Sequence, residues 1–75
     1  MIKAFGMVAE KIGSSELMLE NMPEDTHQLL SVLFARFPQL KEVKFAIAVD
    51  RKIVHSNTNI APGQEIALLP PFSGG

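Results

Sequence analysis

The chain of 75 residues contains no cysteine, and that absence removes disulfides, thiolate nucleophiles and the common zinc frameworks together. It also bears on sulfur chemistry, because a methionine thioether is not a donor of transferable sulfur and no other side chain here holds any. Neither sign of charge is in excess: seven Lys and Arg stand against eight Asp and Glu, and the basic residues are scattered along the chain. Without a basic stripe there is no footprint for a phosphate backbone, so nucleic acid is excluded as an expected partner. No stretch approaches the ~20 apolar residues of a membrane span, and the start, Met1-Ile2-Lys3-Ala4-Phe5-Gly6, lacks a secretory apolar segment. The expectation is a cytoplasmic protein with no membrane partner. Internal repeats and low-complexity segments are also missing.

With 47% hydrophobic and 20% charged residues, the composition is that of a folded globule. Its length allows one domain of modest stability and leaves no room for a second. The domain is expected to occupy 1–69, with 70–75 as an extended functional tail.

Ile2 to Met7 reads as a first strand, with Ile2, Ala4 and Gly6 on one face and Lys3, Phe5 and Met7 on the other. Apolar groups on both faces suit a central strand. Val8 to Ile12 is expected to turn, with Gly13 and two serines marking the corner before a second strand over Glu16 to Glu20, in which Leu17 and Leu19 face inward. Asp25 or Thr26 can cap a helix, and Asp25 with Gln28 fits a capping box. Leu30, Leu33, Phe34 and Phe37 recur at i, i+3, i+4 and i+7, and Leu29 and Val32 widen that stripe. Pro38 ends the helix. Phe45 to Val49 reads as a strand, followed by a hairpin at Asp50-Arg51-Lys52 and a short strand through Ile53 and Val54. This hairpin has no glycine, and Arg51 does not adopt left-handed geometry freely. His55 to Asn59 is polar and reads as a loop. Pro62-Gly63 suits positions i+1 and i+2 of a type II turn, which launches a last strand from Glu65 to Leu69.

The end of the chain, Leu69-Pro70-Pro71-Phe72-Ser73-Gly74-Gly75, is its most specific stretch. Pro70 and Pro71 fix φ near −65° and lack an N–H, so the backbone must leave any sheet and continue extended. From Pro70 to Gly75 an extended path reaches roughly 20 Å, far enough to enter a neighbour's pocket. Gly74 and Gly75 carry no Cβ, so the walls of such a pocket can close on the backbone. A terminal carboxylate is ionised at neutral pH and a poor electrophile, so it needs activation by another group.

This ending resembles that of the small subunit of molybdopterin synthase, a ubiquitin-like sulfur carrier whose chain also closes with two prolines, a hydrophobic residue, Ser or Thr, and Gly-Gly. The resemblance extends over essentially the whole length at the level of pattern. It implies an α+β fold of the ubiquitin-like β-grasp type, a mixed sheet packed on one main helix, with the last strand parallel to the first at the centre. It further implies that the Gly75 carboxylate is adenylated by a ubiquitin-activating-like enzyme and converted to a thiocarboxylate. The sulfur then passes to a pterin precursor inside the large subunit, in a two-subunit sulfurtransferase assembled as a heterotetramer. Under this resemblance the chain is non-catalytic alone and binds no cofactor, ATP being used by the activating partner. Phe5, Leu69, Pro70, Pro71, Phe72, Ser73 and Gly74 are then the partner-binding residues, with Leu69, Phe5 and Phe72 forming an exposed apolar patch that seats the large subunit. Two alternatives share the Gly74-Gly75 chemistry. One is a sulfur carrier for thiamin, cysteine or tRNA thiolation, and the other is a ubiquitin-like modifier attached to lysine amines.

Other candidates are weaker. His27 and His55 are too isolated for a catalytic set, and no spacing supports a metal site. Glu24 and Asp25 sit where capping and the helix dipole explain them. Ser73 has no identifiable base and suits a hydrogen bond in a partner's channel better than nucleophilic attack. Lys41 and Lys44 read as solvated charges, and the four methionines as the start residue and filler.

Overall fold

A computed structural model describes residues 1–70, and the expectations for Pro71, Phe72, Ser73, Gly74 and Gly75 lie outside that range. Five strands form one mixed sheet in the order β2-β1-β5-β3-β4, where β1 is Ile2–Ala4, β2 Glu16–Leu17, β3 Ala46–Val49, β4 Lys52–Val54 and β5 Ile66–Leu69. The last strand lies between the parallel β1 and the antiparallel β3, pairing Ile2 with Ile66, Ala4 with Leu68 and Ile47 with Leu68. That is the expected β-grasp arrangement. One face of the sheet is covered by the main helix α2, Thr26–Arg36. Between them lies the core, in which Ile2, Leu29, Leu33, Leu40, Ile66 and Leu68 are fully buried.

The first strand is shorter than its alternation suggests. It ends at Ala4, and a helix α1, Gly6–Ile12, occupies the residues expected to extend the strand and then turn. The break is at Gly6, whose φ of +58° turns the backbone out of the strand direction. Val8 is buried, Ala9 and Ile12 pack against the core, and Gly13 in left-handed geometry closes the helix with its N–H on the Ala9 carbonyl at 2.8 Å. The second strand is correspondingly short, with Leu17 buried and Leu19 packed beside it.

The N-terminus of α2 has a complete set of partners for the amides that a helix leaves free. Asp25 caps it by accepting the Gln28 N–H at 2.8 Å, while Thr26 donates its N–H to the Thr58 carbonyl and His27 to Asn57 Oδ1. Gln28 reaches back to the Glu24 N–H, one residue before the position of a regular capping box. The loop 55–60 therefore serves as the far half of the cap, and Thr26, the only buried polar residue among those described, holds it through the Thr58 N–H. Burial is centred on Leu29 and Leu33, whereas Leu30, Phe34 and Phe37 of the expected stripe are only partly covered. Pro38 follows the helix as the first residue of a 3-10 turn, Pro38–Glu42, that buries Leu40.

The hairpin between β3 and β4 is a two-residue turn in which Asp50 and Arg51 have φ of +50° and +69°. Both central residues at positive φ make it the type I′ turn that matches strand twist. Asp50 accepts the Glu65 N–H and the Gln64 amide, so its carboxylate ties the hairpin to the approach of β5. Arg51 pays the left-handed penalty without any such bond, a cost of about 1 kcal/mol. Arg51→Gly is expected to raise the thermal midpoint by a few degrees, about 4–8 °C per kcal/mol in a domain of this size. Calorimetry checks it, and a lowered midpoint would show that the turn is not strained.

Candidate functional site

Everything that positions the tail converges at the end of β5. Ile66 and Leu68 point into the core and are completely buried, so the strand is held from below. On either side it is hydrogen-bonded to β1 and β3, and the Phe5 N–H donates to the Leu68 carbonyl at 3.0 Å as the last bond on the β1 side. Pro70 cannot continue the ladder because it has no N–H. It is partly buried, with its ring against Gly6 at the start of α1. The chain therefore leaves the sheet from its centre, at a point fixed on three sides.

The face of the sheet away from α2 is built mainly from small and apolar residues. The register places Lys3, Ala67, Ala48 and Ile53 across one row, with Leu69 and Ala46 in the next. Phe5 follows Ala4, the partner of Leu68, and so stands level with Leu69. Phe5 is 46% exposed and Met7 52%, while Leu69 is half-buried. Alanines occupy positions 46, 48 and 67 of this face; Ala48 is buried, and Ile53 on the edge strand is 38% exposed. The register thus sets Phe5 level with Leu69, and the third member of the expected patch, Phe72, lies outside the described residues. Gly6 was not legible as a site residue: its sequence neighbourhood gives no sign that Pro70 rests on it.

No group of three or more His, Cys, Asp or Glu among the described residues is placed to hold a metal. His27 and His55, far apart in sequence, both line one open groove of about 550 Å³ between α2 and the end of β4, beside Leu30, Phe34 and Val54. They have no carboxylate beside them in that lining. Lys44 lines the same groove, and the Lys41 ammonium lies 6.0 Å from the centre of the Phe34 ring, a cation–π contact at the surface. Glu24 and Asp25 are taken up by helix capping, through Gln28. Among the described residues no helix is long and apolar enough to cross a membrane.

The described residues form a mixed five-strand sheet packed on one main helix, with the last strand at its centre. That defines a class: a ubiquitin-like β-grasp protein. The chain belongs to the ThiS family, whose model matches residues 2–75. Sulfur carriers of this kind work with an activating enzyme and a sulfur-accepting partner. Among solved structures it is similar to SAMP1 from Haloferax volcanii, with a TM-score of 0.75 and 24% sequence identity over 99% of this chain and 96% of that one. At that identity the likeness concerns the fold.

Proposed function

We propose that this chain is the sulfur-carrier subunit of molybdopterin synthase and acts in the cytoplasm. The observation that carries the reading is the ending Pro70-Pro71-Phe72-Ser73-Gly74-Gly75, launched from the central strand of the sheet. Membership of the ThiS family supports a sulfur carrier, and the two prolines followed by Phe and Ser favour the molybdopterin pathway over thiamin, cysteine or tRNA thiolation. With no cysteine in the chain, the Gly75 carboxyl is the place for sulfur.

The chemistry proceeds in two displacements. A Gly75 carboxylate oxygen attacks the α-phosphate of ATP held by the activating enzyme, and pyrophosphate leaves. A sulfide equivalent then attacks the carbonyl carbon of the acyl-adenylate and expels AMP, which leaves a thiocarboxylate. The large subunit supplies the pocket, the charge stabilisation and the acid–base groups for transfer to the pterin precursor. The carrier contributes a narrow reactive end and no turnover of its own.

Incubation with the activating enzyme, ATP and a sulfur donor is expected to exchange one terminal oxygen for sulfur, read by mass spectrometry of the intact protein. Addition of the large subunit and the pterin precursor then returns the mass to that of the carboxylate and yields a sulfur-bearing pterin product, one sulfur per carrier consumed. Sulfur exchange without transfer to the pterin would assign the chain to another thiolation pathway, and Gly75 found linked to many lysines would make it a modifier. The apolar face gives a separate expectation. Phe5→Asp and Leu69→Asp each place a charge where a partner must exclude water, and each is expected to weaken binding of the large subunit by ~10-fold or more, equivalent to about 1.4 kcal/mol. Titration calorimetry measures this, and undiminished binding by both variants would remove the sheet face from the interface.

A further inference from the structure

We propose that the groove between α2 and the β3–β4 edge is a docking site for an extended acidic segment of a partner protein, apolar at its centre and carboxylate-bearing at both ends. The groove exists because the sheet is too narrow for the helix. Leu30 and Phe34 belong to the apolar face of α2 but are only partly buried, because β4 has three residues and no described strand lies beyond it. On the opposite wall Phe45 and Val54 are likewise half-covered. One further strand would complete the layer under α2 and take these side chains out of water.

The edge is free to accept such a strand. Asp50 donates its N–H to the Glu65 carbonyl, so Ala46 and Ala48 turn their backbone groups to β5, while Ile47 and Val49 turn theirs to β4. The partners of these two are Val54 and Lys52, and the alternation leaves the N–H and C=O of Ile53 pointing out of the sheet. Unpaired backbone groups on an exposed edge are a template for another extended chain.

Charge selects the occupant. Eight Asp and Glu are present in the chain, and none of them lines the groove. At one end Phe34 and Phe45 meet edge to face at 6.3 Å, with Lys44 beside Phe45 and the Lys41 ammonium 6.0 Å from the Phe34 ring. At the other end stand His27 and His55, linked by Asn57, which accepts the His27 backbone N–H. Each imidazole can donate an N–H to a carboxylate. From His27 to Phe34 the helix rises ~10 Å, the length of about three residues of strand. Three apolar residues between acidic ends therefore match the groove in length and in charge. A second copy of this chain does not, since pairing of two β4 edges sets one basic groove against another with no carboxylate between them. The groove is on the α2 side of the sheet, opposite the face of Phe5 and Leu69, so the two surfaces can be occupied together. None of this depends on the sulfur-carrier reading.

The test is a titration of the isotope-labelled full chain with the blocked peptide acetyl-Asp-Glu-Val-Ile-Val-Asp-Glu-amide, followed through its backbone amide resonances. The control is acetyl-Lys-Lys-Val-Ile-Val-Lys-Lys-amide. The acidic peptide is expected to shift the amides of Phe34, Lys44, Ile53 and His55 and to slow hydrogen exchange at Ile53, and the basic one to bind at least ~10-fold more weakly. Lys44→Glu, at an exposed position, is expected to lower affinity for the acidic peptide by ~10-fold and to raise it for the basic one. Ile53→Pro removes an N–H that the sheet does not use and is expected to cost the acidic peptide ~5-fold. Thermal midpoints are read on both variants, and if Ile53→Pro does not fold, the charge reversal at Lys44 decides. Equal affinity for the two peptides, shifts confined to the Phe5 and Leu69 face, or no shift at ~1 mM acidic peptide would overturn the proposal. So would concentration-dependent dimerisation that protects the Ile53 amide without peptide, because a second copy would then be the occupant.

Discussion

Removal of Gly74 and Gly75, or the addition of one residue beyond Gly75, is expected to abolish thiocarboxylate formation, with a loss of at least ~10³-fold. An added residue converts the Gly75 carboxylate into an amide and carries the new carboxylate a further ~3.5 Å along the path, beyond the tolerance of a site that positions reacting atoms to within ~1 Å. Truncation withdraws the carboxylate by two such steps and leaves Ser73, with a Cβ and a hydroxyl, as the terminal residue in place of bare backbone. Ile2, Leu29, Leu33, Leu40, Ile66 and Leu68, which neither change touches, are fully buried, and the thermal midpoint is expected to stay within ~2 °C of the parent. Intact-protein mass spectrometry after reaction, with calorimetry on the same samples, tests both halves. An extended chain that accepts sulfur at the normal rate would disprove the terminal mechanism, whereas a collapse of the midpoint would show that the tail is part of the globule.

The sheet could be read from the sequence and α1 could not, because the two leave different signals. The last strand has alternating burial over Ile66, Ala67, Leu68 and Leu69 and a Pro62-Gly63 turn before it, with Gly63 at φ +86° as a type II turn requires. Asp25 is a capping residue by type and position, and it caps. In contrast, α1 has seven residues, no side-chain bond at its N-cap and no acidic residue in its first turn, so it leaves none of the usual start signals. The apolar alternation of Ile2, Ala4, Phe5 and Met7 runs straight into it, and only the geometry at Gly6 reveals where the strand stops. The centre of the α2 stripe was displaced by one residue for a related reason. Periodicity fixes which residues share a face, but the sheet below decides which of them is deepest, and that is Leu29 rather than Leu30. The tail motif was legible because two prolines and two glycines restrict backbone and bulk directly. The contact of Pro70 with Gly6 joins residues 64 positions apart and has no local signature.

The globule makes the opposite demand on its residues, and Leu68→Ala exposes it. Leu68 is fully buried on the central strand, paired with Ala4 on one side and Ile47 on the other, and its carbonyl receives the Phe5 N–H. Truncating such a side chain removes transfer free energy and leaves a cavity, together about 2–5 kcal/mol. A chain of this length has a total stability of about 4–11 kcal/mol, taking ~0.05–0.15 kcal/mol per residue. The loss is therefore a large share of the whole, and the midpoint is expected to fall by roughly 10–30 °C. The backbone bonds that hold the exit of β5 do not depend on the Leu68 side chain. Well below its lowered midpoint the variant is accordingly expected to accept sulfur at a rate within ~2-fold of wild type per folded molecule, and to lose activity on warming in step with its folded fraction. Thermal denaturation followed by circular dichroism, run beside the sulfur-exchange assay over the same temperatures, separates the two effects. A Leu68→Ala protein that is fully folded yet slow would mean that the core does more than hold the strand, since its packing would then also set the direction in which the chain leaves at Pro70.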